Sequence, residues 1–219
     1  MNKSLLFALF LCSMCVSCTQ QLALFNGTNL TGWYAFTEKG KKNADAQAVF
    51  TVSDSMIRLF GENPGYLMSL QSYSNFELAL EYRWNMDEGF RSKNKVKNSG
   101  VMYNIHTDAP DVLWPRGIQF QIKDGFTGDF VLLDNVTLKV KGVTSTAGKS
   151  VSLTRFQDNE KPEGAWNTIR IVSKEGSVWH YLNGRLVNEG TDATAKKGRI
   201  LLQYEGSPID FRRLIIKTL

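Results

Sequence analysis

From residue 76 to residue 85 the chain alternates strictly. Phe76, Leu78, Leu80, Tyr82 and Trp84 share one phase; Glu77, Ala79, Glu81, Arg83 and Asn85 share the other. A period of two is that of a strand with one buried face. The alternation recurs in Val101, Tyr103 and Ile105 against Met102, Asn104 and His106. It recurs again in Ile118, Phe120 and Ile122 against Gln119, Gln121 and Lys123, and in Ile200, Leu202 and Tyr204 against Leu201, Gln203 and Glu205. Between residues 179–182 and 185–187, Asn183-Gly184 supplies the positive φ angles of a type I′ turn and predicts a hairpin. Residues 211–217 form another β-rich run, and further strands are expected near 22–26, 48–52, 56–60, 66–70, 136–141, 151–155 and 166–173.

No comparable stretch holds the 3.6-residue period of an amphipathic helix. Many short strands divided by Gly, Asn, Asp and Ser turns predict an all-β antiparallel sandwich or barrel. The alternation excludes a parallel sheet buried on both faces. With no internal repeat and no Pro- or Ser-rich linker, the body reads as one domain over 18–219. Residues 85–98, with Asp87, Glu88, Gly89, Arg91, Lys93, Lys95 and Lys97, read as an exposed charged loop.

The first 17 residues read as an address. Lys3 is followed by an apolar run, Leu5 to Leu11, of signal-peptide length. Cys15-Val16-Ser17-Cys18 then resembles a bacterial lipoprotein cleavage box with Cys18 as the lipidated residue, although Cys15 stands where Leu is usual. The expectation is an exported lipoprotein, periplasmic or at the outer membrane, held to the membrane through its lipid only. An ordinary secretory signal cleaved nearby is the alternative. All three cysteines (Cys12, Cys15, Cys18) lie within the first 18 residues, so no internal disulfide is expected.

Composition adds exclusions rather than an activity. The 26 Lys+Arg against 21 Asp+Glu give a mild net charge of +5, spread without a nucleic-acid module. Two histidines and no cysteine after Cys18 leave too few soft ligands for zinc or an iron–sulfur cluster. Asp108, Asp111, Asp124 and Asp129 offer loop oxygens that suit a hard divalent cation such as calcium, with no coordination set fixed. There is no Gly-x-Ser-x-Gly elbow, phosphate-cradling loop or dinucleotide fingerprint.

A series of short motifs carries a resemblance. Leu24-Phe25-Asn26-Gly27 with Leu30-Thr31-Gly32-Trp33 opens it, followed by Phe76-Glu77-Leu78 and Glu81-Tyr82-Arg83-Trp84. Then come Lys97-Asn98-Ser99-Gly100-Val101, Trp114-Pro115 through Gln121, and Gly128-Asp129-Phe130. Trp166-Asn167-Thr168, Tyr181-Leu182-Asn183-Gly184, Leu202-Gln203 with Glu205-Gly206, and Phe211-Arg212 complete it. In this order, over about 22–219, the chain resembles the 3-keto-disaccharide hydrolase domain family. The resemblance implies a concanavalin A-like jelly-roll sandwich of the lectin and glucanase kind, acting on oxidised sugars. One position departs: the family often has Glu where this chain has Gln119, and an amide is neither acid nor base.

A 3-keto sugar needs less apparatus than an ordinary glycoside, which calls for two carboxylates across the scissile bond. The ketone acidifies the C2 hydrogen, so a base removes it, the glycosidic oxygen leaves C1, and water adds back. That scheme requires a base, an acid and a group to hold the enediolate charge. Glu81 and Arg83 share a strand face and suit base, or metal ligand, plus anion stabiliser; a salt bridge on a solvated face is the plain alternative. His106 exchanges protons near neutral pH and shares a phase with Asn104. Glu205 is a second candidate acid, while Asn104, Gln119, Gln121 and Gln203 could bond sugar hydroxyls and Trp114 could stack on a sugar ring. These residues are expected to converge in one saccharide-holding hollow. Three readings stay open: an exported enzyme cleaving 3-keto-glycosides, a non-catalytic carbohydrate-binding lipoprotein, and a conventional glycoside hydrolase. The sequence leaves the oligomeric state unspecified.

Overall fold

The computed structural model describes residues 21–87 and 96–219. The leader, Cys18, and the loop residues Glu88, Gly89, Arg91, Lys93 and Lys95 lie outside the described residues.

Two antiparallel sheets face each other. The first runs, in spatial order, Arg185–Gly190, Ser177–Leu182, Asn167–Lys174, Phe76–Trp84, Ile209–Thr218, Met56–Leu59 and Thr51–Ser53, with Gln21–Ala23 also paired to Ile209–Thr218. The second runs Ser150–Leu153, Phe130–Leu133, Gly117–Lys123, Asn98–Ile105, Lys197–Tyr204, Gly65–Ser69, Trp33–Thr37 and Lys41–Asn43. Neighbours distant in sequence give a jelly-roll sandwich, the sandwich being one of the two forms the pattern predicts and the jelly roll what the resemblance implies. Asn183 and Gly184 take φ of 49° and 82°, as the hairpin turn requires.

The core lies between the sheets. Phe76, Leu78, Leu80, Tyr82, Ile169, Ile171, Ile209 and Phe211 of the first sheet meet Val101, Tyr103, Ile118, Phe120, Ile122, Ile200 and Leu202 of the second. Each aliphatic side chain buried this way contributes roughly 1.5–3 kcal/mol of transfer free energy.

Strands that lack alternation escaped the pattern because they are buried on both faces. Trp33 and Ala35 enter the main core, while Tyr34 and Phe36 join a second apolar cluster with Tyr66, Met68, Met102, Ile105, Leu133 and Leu201. Ala109 and Leu113, on the connection 106–116, pack onto that cluster and cover part of the second sheet's outer face. Phe130–Leu133 is missed for a related reason, with Phe130 and Leu132 inward and Leu133 in the second cluster.

Three expected spans change. Around 48–52 the chain first makes a 3-10 turn, Ala46–Ala48, capped by the Asp45 side chain accepting from the Gln47 N–H, before the strand Thr51–Ser53. Over 136–141 only Lys139–Val140 is strand, paired with Val143–Thr144. The alternation of 101–106 breaks at Asn104, whose φ is 57°. Here the register against Lys197–Tyr204 slips, and Ile105 turns out to the second cluster instead of following Val101 and Tyr103 inward.

A buried imidazole sits among the aromatic rings of the core. His180 lies against Phe130 and Phe120, with ring centroids 4.1 and 4.6 Å away. Its Nε2 is 2.9 Å from the Tyr103 hydroxyl and its Nδ1 is 3.4 Å from the Gly128 carbonyl oxygen. Burial pushes its pKa down from 6.5 to about 3, against the smaller opposing pull of that carbonyl. The neutral ring therefore donates from Nδ1 and accepts at Nε2. Between about pH 6.5 and 3 the unfolded chain binds a proton that the folded chain refuses, so this contribution to stability is complete above 6.5 and lost as pH falls toward 3. In His180→Phe the fall of the melting temperature between pH 7 and 4 should be flatter than in the parent; equal slopes by calorimetry would acquit His180.

Candidate functional site

The outer face of the second sheet carries a groove of about 1030 Å³. Its floor is built by three adjacent strands. Gln119 and Gln121 project from Gly117–Lys123 on the face opposite Ile118, Phe120 and Ile122. Gln203 and Glu205 come from the end of Lys197–Tyr204 and the residue following it, and Asn98 from the start of Asn98–Ile105. Trp114, 47% exposed, stands on the connection 106–116 as part of the wall.

These side chains close into a ring of hydrogen bonds. Gln203 donates from Nε2 to Glu205 Oε1 at 2.5 Å, and Gln119 Nε2 donates to Gln203 Oε1 at 2.9 Å. The same Gln119 nitrogen donates to Gln121 Oε1 at 2.5 Å. Gln121 Nε2 donates to Asn98 Oδ1 at 3.1 Å, and Asn98 Nδ2 returns to Glu205 Oε2. From outside the ring, Trp114 Nε1 donates to Glu205 Oε1 at 3.0 Å. A carboxylate only accepts. It therefore fixes Gln203 and Asn98 with their NH2 groups toward it, which turns their carbonyls away, and both remaining amides follow in sense.

A missing side chain makes the ring fit. In register, Gly100 lies between Gln121 and Gln203. A Cβ there would stand 2.2 Å from Gln119 Nε2 and 2.6 Å from its Cδ. Gly100 is thus the floor under the Gln119 amide, while Ser99 beside it donates from Oγ to the Gln203 carbonyl at 2.7 Å. This gives Asn98-Ser99-Gly100 a physical meaning.

Of the residues singled out in the sequence, Asp111, Trp114, Gln119, Gln121, Gln203 and Glu205 line the groove. Glu81, Arg83, His106 and Asn104 do not, so the expected convergence is corrected. Glu81 and Arg83 belong to the first sheet, and their phase points away from the core on the far side of the sandwich. There Glu81 accepts from Arg212 Nε at 2.6 Å and Arg213 Nη1 at 2.9 Å, while Arg83 pairs with the buried Asp210 at 3.0 Å. Arg212 stacks on Trp166 with its guanidinium carbon 3.8 Å from the ring centroid. The bulge at Asn104 turns its amide inward to Ser173 Oγ and the Ala195 carbonyl, both at 3.0 Å. It also leaves His106 beyond the strand, in a turn where its Nδ1 accepts from the Asp108 N–H.

The four aspartates that suited a cation go to separate partners. Asp108 meets His106, Asp124 accepts from the Lys97 N–H, Asp129 pairs with Arg155, and Asp111 is held by Tyr34, Tyr66 and Lys42. Among the described residues no three His, Cys, Asp or Glu side chains gather at metal-binding spacing. The residues missed in the sequence are Asn98 and the groove cations Lys41, Arg116, Lys123 and Lys149. A strand glycine, Gly100, was the available signal for Asn98.

The chain is similar to known proteins on two levels. A family model described as a 3-keto-alpha-glucoside-1,2-lyase-like domain matches residues 21–217. Among solved structures, a candidate glycosyl hydrolase from Parabacteroides distasonis aligns with a TM-score of 0.65 at 19% identity, covering 91% of this chain and 94% of that one. A β-glucanase of Bacillus licheniformis aligns with a TM-score of 0.52 at 15% identity, covering 92% and 98%. A carbohydrate-binding module from Bacillus subtilis gives 0.51 at 15%, covering 84% and 94%. At such identities these structures share the fold, which is of the glucanase and lectin kind. No protein of curated function matches the chain.

Gly100→Ala tests the ring. The clash is with one flexible side chain, so Gln119 should swing out and the fold should survive. The cost should be about 1–3 kcal/mol for the unmet amide partners. A crystal structure with Gln119 still bonded to Gln203 and Gln121 would contradict this account of the floor.

Proposed function

The chain belongs to the 3-keto-alpha-glucoside-1,2-lyase-like domain family, and from that premise we propose that it cleaves 3-keto-glycosides at this groove by 1,2-elimination followed by hydration. Membership ties the chain to carbohydrate chemistry. The finer reading rests on one observation: a single carboxylate, Glu205, is ringed by four amides and an indole N–H on the floor of an open groove.

In this reading the sugar ring lies on Trp114 with its hydroxyls toward Asn98, Gln119, Gln121 and Gln203. Glu205 takes the proton from C2, whose acidity the C3 ketone supplies. The electron pair moves toward the ketone oxygen, and the enediolate is held by cations of the groove, of which Lys123 shares the strand face of Gln119 and Gln121. The C1–oxygen bond then breaks, and the departing oxygen recovers the proton from Glu205. Water then adds across the C1=C2 bond, its hydroxyl to C1 and its proton to C2, to give the 3-keto sugar. Preorganised donors of this kind need little rearrangement as charge develops. A binding role without turnover is the second reading, favoured by Gln119, since four of the five ring members cannot exchange a proton. The N-terminal address adds an exported, lipid-anchored location to the proposal.

Incubation with 3-keto- and unoxidised glycosides of one aglycone separates the readings. Release from the keto form alone is expected. Glu205→Gln should lower kcat by roughly 10²–10⁴, and Glu81→Gln, on the opposite sheet, should leave it unchanged. Binding without release would establish the second reading, and release from the unoxidised glycoside would point to a conventional hydrolase.

A further inference from the structure

The connection 106–116 behaves as a strap over the second sheet, and a single carboxylate gathers its attachment. Asp111 Oδ1 accepts from the Tyr34 hydroxyl at 2.5 Å and from the Tyr66 hydroxyl at 3.1 Å, and its Oδ2 lies 3.1 Å from Lys42 Nζ. Lys42 also sits 4.0 Å from the Tyr34 ring centroid. Arg199, nearly buried, donates from Nη1 to the Tyr34 hydroxyl at 2.9 Å and from Nη2 to the Thr107 carbonyl of the strap. Tyr34 therefore accepts from a cation while donating to an anion, which strengthens both bonds. Burial alone would raise the Asp111 pKa; the bonds from Tyr34, Lys42 and Tyr66 and the Lys42 charge outweigh it and hold the carboxyl below its ordinary value.

The two ends of the strap do different work. Asp111 is fixed to strands Gly65–Ser69, Trp33–Thr37 and Lys41–Asn43, which lie two, three and four strands away from Asn98–Ile105, the nearer strand flanking the strap. Three residues later Trp114 reaches back to Glu205, which follows strand Lys197–Tyr204. Leu113 packs on the second apolar cluster between these two anchors, and Pro115 closes the segment. Only Val112 and Leu113 separate Asp111 from Trp114, so a shift at the first anchor is carried to the second. We propose that Asp111 is a positioning residue that sets the strap so that the Trp114 N–H meets Glu205, and thereby fixes the aromatic wall of the groove. The catalytic consequence rests on the function proposed above; the positional claim does not.

The test uses the full chain labelled with 5-fluorotryptophan, in which the resonance of Trp114 among five tryptophans is the one lost in Trp114→Phe. In Asp111→Asn that resonance should shift or broaden while those of Trp33, Trp84, Trp166 and Trp179 hold. Glu205→Gln, which weakens the acceptor, should move the same resonance. With a 3-keto-glycoside, Asp111→Asn should raise KM roughly tenfold and change kcat little. It should add little to Trp114→Ala, since both disturb one contact. An unmoved Trp114 resonance in Asp111→Asn overturns the proposal whatever the activity. So does movement of all five resonances, which would make Asp111 a general stabiliser. A moved resonance in a protein that turns over no 3-keto-glycoside leaves the positional claim standing and removes the proposed function instead.

Discussion

A carboxylate set on the face of a β-sheet must be surrounded by donors, and Glu205 imposes that requirement on everything near it. It has two oxygens and no proton to give. Gln203, Asn98 and Trp114 supply the first donors. The amides thus committed expose carbonyls, which Gln119 and Gln121 satisfy in turn. One charge orients four side chains on three strands. Gly100 follows from the same constraint, because the Gln119 amide needs the space a Cβ would take. The sheet register that aligns Gln121, Gly100 and Gln203 is the mechanical basis of the ring.

The second sheet can carry this polar floor because its two faces are stabilised by different means. Its inner face is continuous with the sandwich core. Its outer face is divided: one part is apolar and covered by the strap, and the other is polar and open as the groove. The first sheet has charges and aromatics on its outer face as well, but they satisfy one another. Glu81 takes two arginines, Arg83 takes Asp210, and Arg212 lies on Trp166. Both outer faces thus carry polar side chains. A hollow beside the second is what lets a ligand approach.

This difference bounds what the sequence could reveal. Alternation exposes the phase of a residue, so Gln119, Gln121, Gln203 and Glu205 were legible as an outer polar face, and the sandwich was legible from many such strands. Phase does not say which sheet a strand joins. Glu81 and Arg83 have the same local signature as Gln119 and Gln121, and only the long-range pairing of Phe76–Trp84 with Asn167–Lys174 and Ile209–Thr218 puts them on the other side. Phase also fails at a bulge. Asn104 adopts a left-handed conformation that asparagine tolerates, and one such residue removes both itself and His106 from the face they were read on. Asp111 was visible only as a spare oxygen ligand, since its partners come from strands some seventy-seven, sixty-nine and forty-five positions earlier in the chain.

The amide at position 119 follows from the same bookkeeping of protons. Gln119 gives two hydrogen bonds to two carbonyl oxygens. A carboxylate at that place would face both oxygens with nothing to donate. Gln121 and Gln203 would then have to turn over, which would point the Gln203 carbonyl at Glu205 and set two anions across one small ring. Such a pair persists only with a shared proton or a cation between its members. With the amide, the ring is complete as it stands and holds one charge. A hydrogen-bonded ring with one ionisable member is poorly matched to chemistry that needs an acid and a base on opposite sides of a bond. It is well matched to an elimination in which one carboxylate takes a proton from carbon and hands it to the neighbouring oxygen. The proposed reaction thus asks of the groove floor only what Glu205 can supply.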